Sequence, residues 1–358
     1  TESRCYRAVI EGIGGCAVLN SGSACVQVDL PPTQPTVNAV GPICGTSTAI
    51  GAGGAAAPAP TATGLWTVTP AGPTFAPANA HQSTVSNLIP GTTYTLRWTV
   101  SNTTTCPTVF AETALQVDQQ PTDPNAGPDR TICDLSLALA GNALTVGTGN
   151  WTVVPAGPTI VTPASPTSNV TNLLRGTRYT FTWTTTNGVC PPKADQVVIT
   201  VDPQPVVPVL TIAPQTCDLV HNLVSTPPAP TANPPFAAAT GAWTVSPAGP
   251  IINQPTNPST FVTFTNAQRG STFTFRWTVS SGVCPPVFSE LPVSVDRLPT
   301  APNAGADRVI CLPTVTLAGN PIEVGQGTWT VTPAGPTIVS PNSPTSNVTG
   351  LLQGITYT

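Results

Sequence analysis

The chain reads as an all-β protein built as a tandem array of β-sandwich modules, and three observations predict this. The string Trp-Thr-Val-Xaa-Pro-Ala-Gly-Pro starts at Trp66, Trp151, Trp243 and Trp329, so one unit of about 85 to 92 residues recurs. In each complete copy a second Trp follows 32 to 34 residues later, at Trp98, Trp183 and Trp277, and then a cysteine at Cys106, Cys190 and Cys284. Short β-rich runs alternate with Gly, Pro and Asn clusters every 8 to 12 residues or so, the rhythm of a sandwich. These marks divide the 358 residues into the last two strands of an upstream module (1–30), modules at 31–120, 121–205 and 206–298, and an incomplete fourth at 299–358.

Each element of one module has a local reason. Tyr179-Thr-Phe-Thr-Trp-Thr alternates at period two, which sets Tyr179, Phe181 and Trp183 on one face and threonines on the other. Tyr94, Leu96 and Trp98 repeat that pattern in the first module, and Phe273, Phe275 and Trp277 in the third. Tyr94, Tyr179 and Tyr357 each stand just after a Gly turn at a strand start, and Tyr6 aligns with them. This resembles the tyrosine corner of Ig-like sandwiches, in which the phenol bonds back to upstream backbone. The Trp of each Trp-Thr-Val strand is the second large core residue, and the Gly of Pro-Ala-Gly-Pro turns the chain out of the strand.

A cysteine also precedes each first Trp, at Cys44, Cys133, Cys217 and Cys311. Placing both cysteines of a module at one end of its sandwich predicts one bond inside each: Cys44 with Cys106, Cys133 with Cys190, and Cys217 with Cys284. Each such bond stabilises by about 4 kcal/mol on the chain-entropy model. Cys5 pairs with Cys25 across the N-terminal hairpin, which leaves Cys16 and Cys311 for inter-module or inter-chain bonds. Matched cysteines in successive modules suit an oxidising, extracellular compartment.

A second rhythm underlies the first. Residues 125–174 and 303–352 agree at 34 of 50 positions, an offset of 178, and the first and third modules share long Ala/Pro-rich insertions at Ala55 to Thr63 and Pro227 to Thr240. The array alternates two module types, A-B-A-B, and such arrays are stabilised module by module and across nearest-neighbour contacts. Linkers such as Asp118-Gln-Gln-Pro-Thr-Asp-Pro are short and Pro-rich, which favours semi-rigid connections.

Composition excludes several functions. Only 7% of residues are charged and the formal net charge is -4, with Lys193 the single lysine, so neither nucleic acid nor an anionic membrane finds a basic footprint. No apolar run of 18 residues is present, so no membrane insertion is expected. His81 and His221 are the only imidazoles and neither repeats, which argues against a hydrolytic centre and against any enzyme. Gly51 to Gly54 lacks the Lys of a phosphate-binding loop. Calcium is the one cofactor with candidates: Asp118, Asp123 and Asp129 near one junction, Asp296 and Asp307 near another, with strand-ending Asx turns as the alternative.

Asn-Ala-Gly-Xaa-Asp-Arg-Xaa-Ile-Cys, Leu-Ala-Gly-Asn, Gly-Xaa-Trp-Thr-Val and Gly-Val-Cys-Pro-Pro before a final Val-Xaa-Val-Asp strand resemble the PKD-like and Ig-like tandem repeats of Bacteroidota cell-surface proteins. Those include gliding-motility adhesins and type IX secreted proteins. The resemblance implies sandwich modules, an extracellular or cell-surface location, and a structural or adhesive fibre whose partners are its neighbouring modules, copies of itself, or host and environmental surfaces. Two alternatives stand beside it: a glycan- or protein-binding adhesin acting through loops at the sandwich ends, and a fibre polymerised by strand complementation with Cys16 joined to Cys311 across chains.

Overall fold

A computed structural model describes residues 2–29, 31–53, 62–102, 106–228, 236 and 238–358. Most of the two Ala/Pro-rich insertions, and Gly54, lie outside the described residues. The chain divides into two compact units, Thr1–Val201 and Asp202–Thr358. Among the described residues every regular element is a strand except one 3-10 turn at Asn266–Gln268. Among the described residues no helix is long and apolar enough to cross a membrane.

The first unit holds an N-terminal hairpin and two sandwiches. In the sandwich around Trp151, one sheet runs in the order Arg130–Ile132, Lys193–Val201, Thr177–Thr186, Thr148–Val154, and the other Leu137–Ala138, Asn169–Thr171, Thr159–Ile160. Arg130–Ile132 lies parallel to Lys193–Val201 while the other pairs in its sheet are antiparallel. The sandwich around Trp66 repeats the plan, with Val109–Gln116, Thr93–Ser101 and Thr63–Thr69 facing a second sheet that contains Ser47–Gly53 and Gln82–Ser86. The second unit contains the matching sandwich around Trp243. It also holds, in the fourth repeat, the three-stranded sheet Thr314–Ala318, Thr345–Thr349, Thr337–Ile338.

Period-two alternation builds the cores. Along Thr177–Thr186 every second side chain is buried, from Tyr179 through Phe181 and Trp183 to Thr185. The two tryptophans of a repeat face each other in register, Trp66 with Trp98, Trp151 with Trp183 and Trp243 with Trp277, their rings 5.0 to 5.1 Å apart. Rings of this size carry most of a small sandwich's apolar burial. The Gly two residues before each first Trp makes that approach possible. A Cβ on Gly64, Gly149 or Gly241 would enter the ring of Trp98, Trp183 or Trp277.

The two tryptophans differ in polarity. Each first Trp donates its indole N–H to a carbonyl: Trp66 to Ala80 at 3.0 Å, Trp151 to Ser165 at 3.1 Å, Trp243 to Asn257 at 3.1 Å and Trp329 to Ser343 at 2.9 Å. The indole N–H of Trp98, Trp183 and Trp277 is buried without an acceptor among the described residues. The strand leaves through a cis Xaa-Pro bond at Pro70, Pro155, Pro247 and Pro333, which no sequence pattern announced, and then a Gly with φ between 138° and 146°.

The corner hydroxyls bond as the motif implies. Tyr94 accepts from Ile89 N at 3.0 Å, Tyr179 from Leu174 N at 3.1 Å and Tyr357 from Leu352 N at 3.3 Å. Phe273 has no hydroxyl, and the third repeat replaces the bond with a 3-10 turn. There Gln268 N donates to Thr265 O at 3.0 Å, and the Gln268 side chain accepts from Thr265 N at 2.7 Å. Phe273 packs instead on Phe264, 5.7 Å between centroids. Tyr6 departs from its expected place: it pairs with Ala24 in the N-terminal hairpin and is 61% exposed. Cys5 and Cys25 face each other in that hairpin and are bonded.

Candidate functional site at the repeat junctions

The cysteines that flank the paired tryptophans do not follow the expected pairing inside each repeat. Cys44 is bonded to Cys190, which joins the first repeat to the second and corrects the expected Cys44 to Cys106 and Cys133 to Cys190 bonds. Cys217 carries a free, exposed thiol, so the expected Cys217 to Cys284 bond is also replaced, while Cys133 and Cys284 are both in disulfide form.

Strand direction gives the physical reason. The first cysteine follows a short strand or bridge that runs parallel to the last strand and meets its end: Ile43 opposite Val117, Ile132 opposite Val201, Thr216 opposite Val295. The first cysteine therefore sits at the downstream end of its own repeat, beside the linker. The second cysteine lies in or beside the turn between the second Trp strand and the last strand, at the upstream end. In the second repeat the two ends of the last strand, Lys193 and Val201, are separated by about 26 Å at strand rise. A disulfide tolerates Cα atoms no more than about 7 Å apart. A bond within one sandwich is thus out of reach, and a bond from one sandwich's downstream end to the next one's upstream end is the one geometry allows.

A carboxylate completes the junction. Alternation buries Leu115 and Val117 and brings the chain to Asp118, whose N–H donates to Ile43 O at 2.8 Å. Its side chain is then held by Gln116 Nε2 at Oδ1, 2.6 Å, and accepts Val189 N of the following repeat at Oδ2, 2.8 Å. Asp118 is 7% exposed, and a buried carboxylate needs such charge-assisted partners. Asn187 Nδ2 donates to Gln119 O at 2.7 Å, and Thr185 Oγ1 to Thr122 O at 2.8 Å. The Gly of Gly-Val-Cys has a specific task here. Gly188 holds φ 51°, and a Cβ on it would run into the Asp118 carboxylate.

The same parts recur at Asp202, which accepts Val283 N at 2.9 Å beside Gly282 at φ 50°. Cys284 Sγ lies 3.7 Å from Asp202 O, as Cys190 Sγ lies 3.4 Å from Gln119 O and Cys106 Sγ 3.7 Å from Asp29 O. Asp195, which no motif marks, accepts Ala126 N at 2.8 Å and ties the start of the second repeat to its last strand.

The structure does not gather the calcium candidates. Asp118 is occupied by Gln116 and Val189, Asp123 pairs with Lys193 at 2.6 Å, and Asp129 accepts Val198 N at 2.8 Å. Asp296 accepts from Gln215 at 2.9 Å, and Asp307 is exposed. Among the described residues no three His, Cys, Asp or Glu side chains come together as a metal site. Of the two histidines, His221 lies 3.0 Å from Ala213 O.

The A and B repeats differ on the outer sheet face. In the A repeats Arg97 pairs with Glu112 and Arg276 with Glu290, both at 2.6 Å, and each guanidinium lies 4.0 Å from the ring centre of Phe110 or Phe288. The B repeat has Thr182 bonded to Gln196 there, at 3.3 Å. In the fourth repeat a cavity of 330 Å³ is lined by Gly327, Ile322 and Trp329 among others.

No family model matches the chain, and no curated protein matches it. Among solved structures, it is similar to extracellular domains 3-5 of Drosophila OTK, at 12% identity over 76% of this chain and 98% of that one, with a TM-score of 0.34. Immunoglobulin domains 1-5 of Sidekick-1 give 12% identity, 92% and 74% coverage and a TM-score of 0.34. Titin domains A168-A170 give 13%, 75% and 100%, and 0.31. At such scores the fold rests on the strand order and register above.

Proposed function

We propose that the chain is a non-enzymatic extracellular stalk, a structural or adhesive fibre whose work is reach and resistance to tension. One observation carries this reading: Cys44 to Cys190 fastens consecutive sandwiches end to end, with Asp118 accepting Val189 N alongside. A disulfide inside each sandwich would protect the modules singly and leave every linker as the weak point. A bond across the junction instead makes tension pass through covalent bonds and keeps the span between the two cysteines, 146 residues apart in sequence, from extending. Disulfides of this kind persist where the surroundings are oxidising, which supports an extracellular address. The resemblance to PKD-like repeats of Bacteroidota surface proteins supports display at a cell surface.

Pulling single chains by their ends tests the reading. The oxidised chain should extend less than the reduced one, and the 146-residue span alone accounts for about 500 Å of added contour length on reduction. Equal lengths in the two states would contradict a tension-bearing junction. Saturable binding of the soluble chain to defined sugars on a glycan array would shift the reading to the recognition alternative.

A further inference from the structure

We propose that Asn187-Gly188, in the turn that seats the second repeat on the first junction, is a site of spontaneous deamidation, and that its conversion loosens the linker from the second repeat. The inference goes beyond the stalk reading. It concerns a covalent change in one loop, so it stands or falls whether or not the chain bears tension.

The pair is singular in the sequence. Asn187-Gly188 is the only Asn-Gly step among the 358 residues, and every other asparagine is followed by a residue that carries a Cβ. Deamidation begins when the next backbone nitrogen attacks the asparagine side-chain carbonyl carbon, and a glycine leaves that nitrogen uncrowded and its backbone free to turn. The structure keeps these atoms within reach. Gly188 is exposed and Asn187 half-buried, and Gly188 N donates to no group among the described residues. The side chain is held by the bond from Asn187 Nδ2 to Gln119 O, 2.7 Å. Releasing one neutral hydrogen bond slows the attack by roughly tenfold at most.

The junction dictates the glycine but not the asparagine. Gly188 has φ 51°, and a Cβ on it would run into the Asp118 carboxylate. In the third repeat Ser281-Gly282 carries the same turn, with Gly282 at φ 50° against Asp202, and Val283 N donates to Asp202 Oδ2 at 2.9 Å. The two turns share a geometry, and of the two the one in the second repeat holds an amide that can convert.

The chemistry needs only water. Gly188 N gives up its proton and bonds to Asn187 Cγ, the Cγ–Nδ2 bond breaks, and ammonia leaves behind a five-membered succinimide. Water then adds to one ring carbonyl and breaks its bond to Gly188 N. Opening at Cγ gives aspartate, whereas opening at the α-carbonyl gives isoaspartate, in which the main chain runs through the former side chain. One water is consumed and one ammonia released, with no change of oxidation state.

Either product undoes the bonding around the loop. The donor to Gln119 O becomes a carboxylate, so two acceptors face each other, and a negative charge arises next to the glycine packed on Asp118. Isoaspartate also takes Asn187 O, the acceptor of Cys190 N at 3.0 Å, out of the backbone. It lengthens the chain by one atom just before Val189, whose N–H bonds Asp118. The Cys44 to Cys190 bond keeps the repeats tethered while the hydrogen bonds beside it are lost.

The test incubates the oxidised full chain in neutral buffer beside a denatured sample. Both are digested at intervals and read by mass spectrometry with isoaspartate resolved from aspartate. The expected result is conversion at Asn187 ahead of every other asparagine, at a rate within about tenfold of the denatured chain's. Converted and native chains, separated by charge, are then compared by hydrogen exchange, and protection at Val189 should fall roughly tenfold in the converted form. Three results overturn the proposal: Asn187 intact in the folded chain long after the denatured sample has converted, another asparagine converting first, or full conversion with protection at Val189 unchanged.

Discussion

The junctions after the first and third repeats start from the same residues, and of the two the first holds, among the described residues, both a disulfide to the next repeat and a backbone amide from it. Asp118 and Asp296 stand at the same place in their sheets, each with a glutamine on Oδ1 and an adjacent cysteine. Asp118 also holds an amide from the following repeat, and Cys44 is bonded to that repeat. The downstream end of a sandwich is thus a socket built by its own strands. The aspartate, glutamine and first cysteine are held by their own repeat's strands at both junctions, and at the first Gly188-Val189-Cys190 fills the place beside them.

The sharpest way to break the comparison is to remove the bond. Cys44→Ser with Cys190→Ser opens a loop of 146 residues, and the chain-entropy model puts the loss at about 5 kcal/mol. Guanidinium denaturation followed by tryptophan fluorescence should show the first transition move to much lower denaturant. Cys217→Ser, at the junction after the third repeat, should leave the curve where it is. Equal effects from the two would mean that the sockets are not distinguished by occupancy.

The carboxylates offer a smaller contrast. Asp118→Ala removes the charge-assisted acceptor of Val189 N and should cost about 1–3 kcal/mol, whereas Asp296→Ala releases only side-chain donors and should cost less than about 0.5 kcal/mol. Hydrogen exchange at Val189 gives a local readout, since its amide should lose protection in Asp118→Ala alone. Gly188→Ala should cost about 1–2 kcal/mol for the left-handed backbone, before the collision with Asp118 is added.

Much of the fold was legible in the sequence, because its signals are local. Period-two alternation marked Trp98, Trp183 and Trp277, the Gly turn marked Tyr94, Tyr179 and Tyr357, and the offset of 178 marked the two repeat types. The disulfide pairing was not legible. It depends on which end of a sandwich each cysteine occupies, and that follows from parallel pairing of a three-residue strand, Arg130–Ile132, whose composition says nothing of direction. The bonding of the junction aspartates was not legible either: oxygen-rich side chains near a linker suit a cation and an Asx turn alike, while the groups that bond Asp118 and Asp202, the backbone amides of Val189 and Val283, carry no residue identity. The third repeat's corner did carry a signal. Thr265-Asn-Ala-Gln268 is a capping box, spaced to form the turn that stands in for the missing hydroxyl.

That corner gives the smallest expected effect. Tyr179→Phe removes the acceptor of Leu174 N and should cost about 1 kcal/mol. Phe273→Tyr should gain nothing, because the corresponding amide, Gln268 N, already donates to Thr265 O. A stabilised Phe273→Tyr variant in thermal unfolding would show that the turn and the hydroxyl are not alternatives.

Outside the N-terminal hairpin, the Cys44 to Cys190 bond joins two repeats rather than closing one. Non-reducing peptide mapping of the native chain, with thiols blocked before digestion, tests it most directly. The expected result is one linked peptide containing Cys44 and Cys190. A peptide linking Cys44 to Cys106, or Cys133 to Cys190, would contradict it.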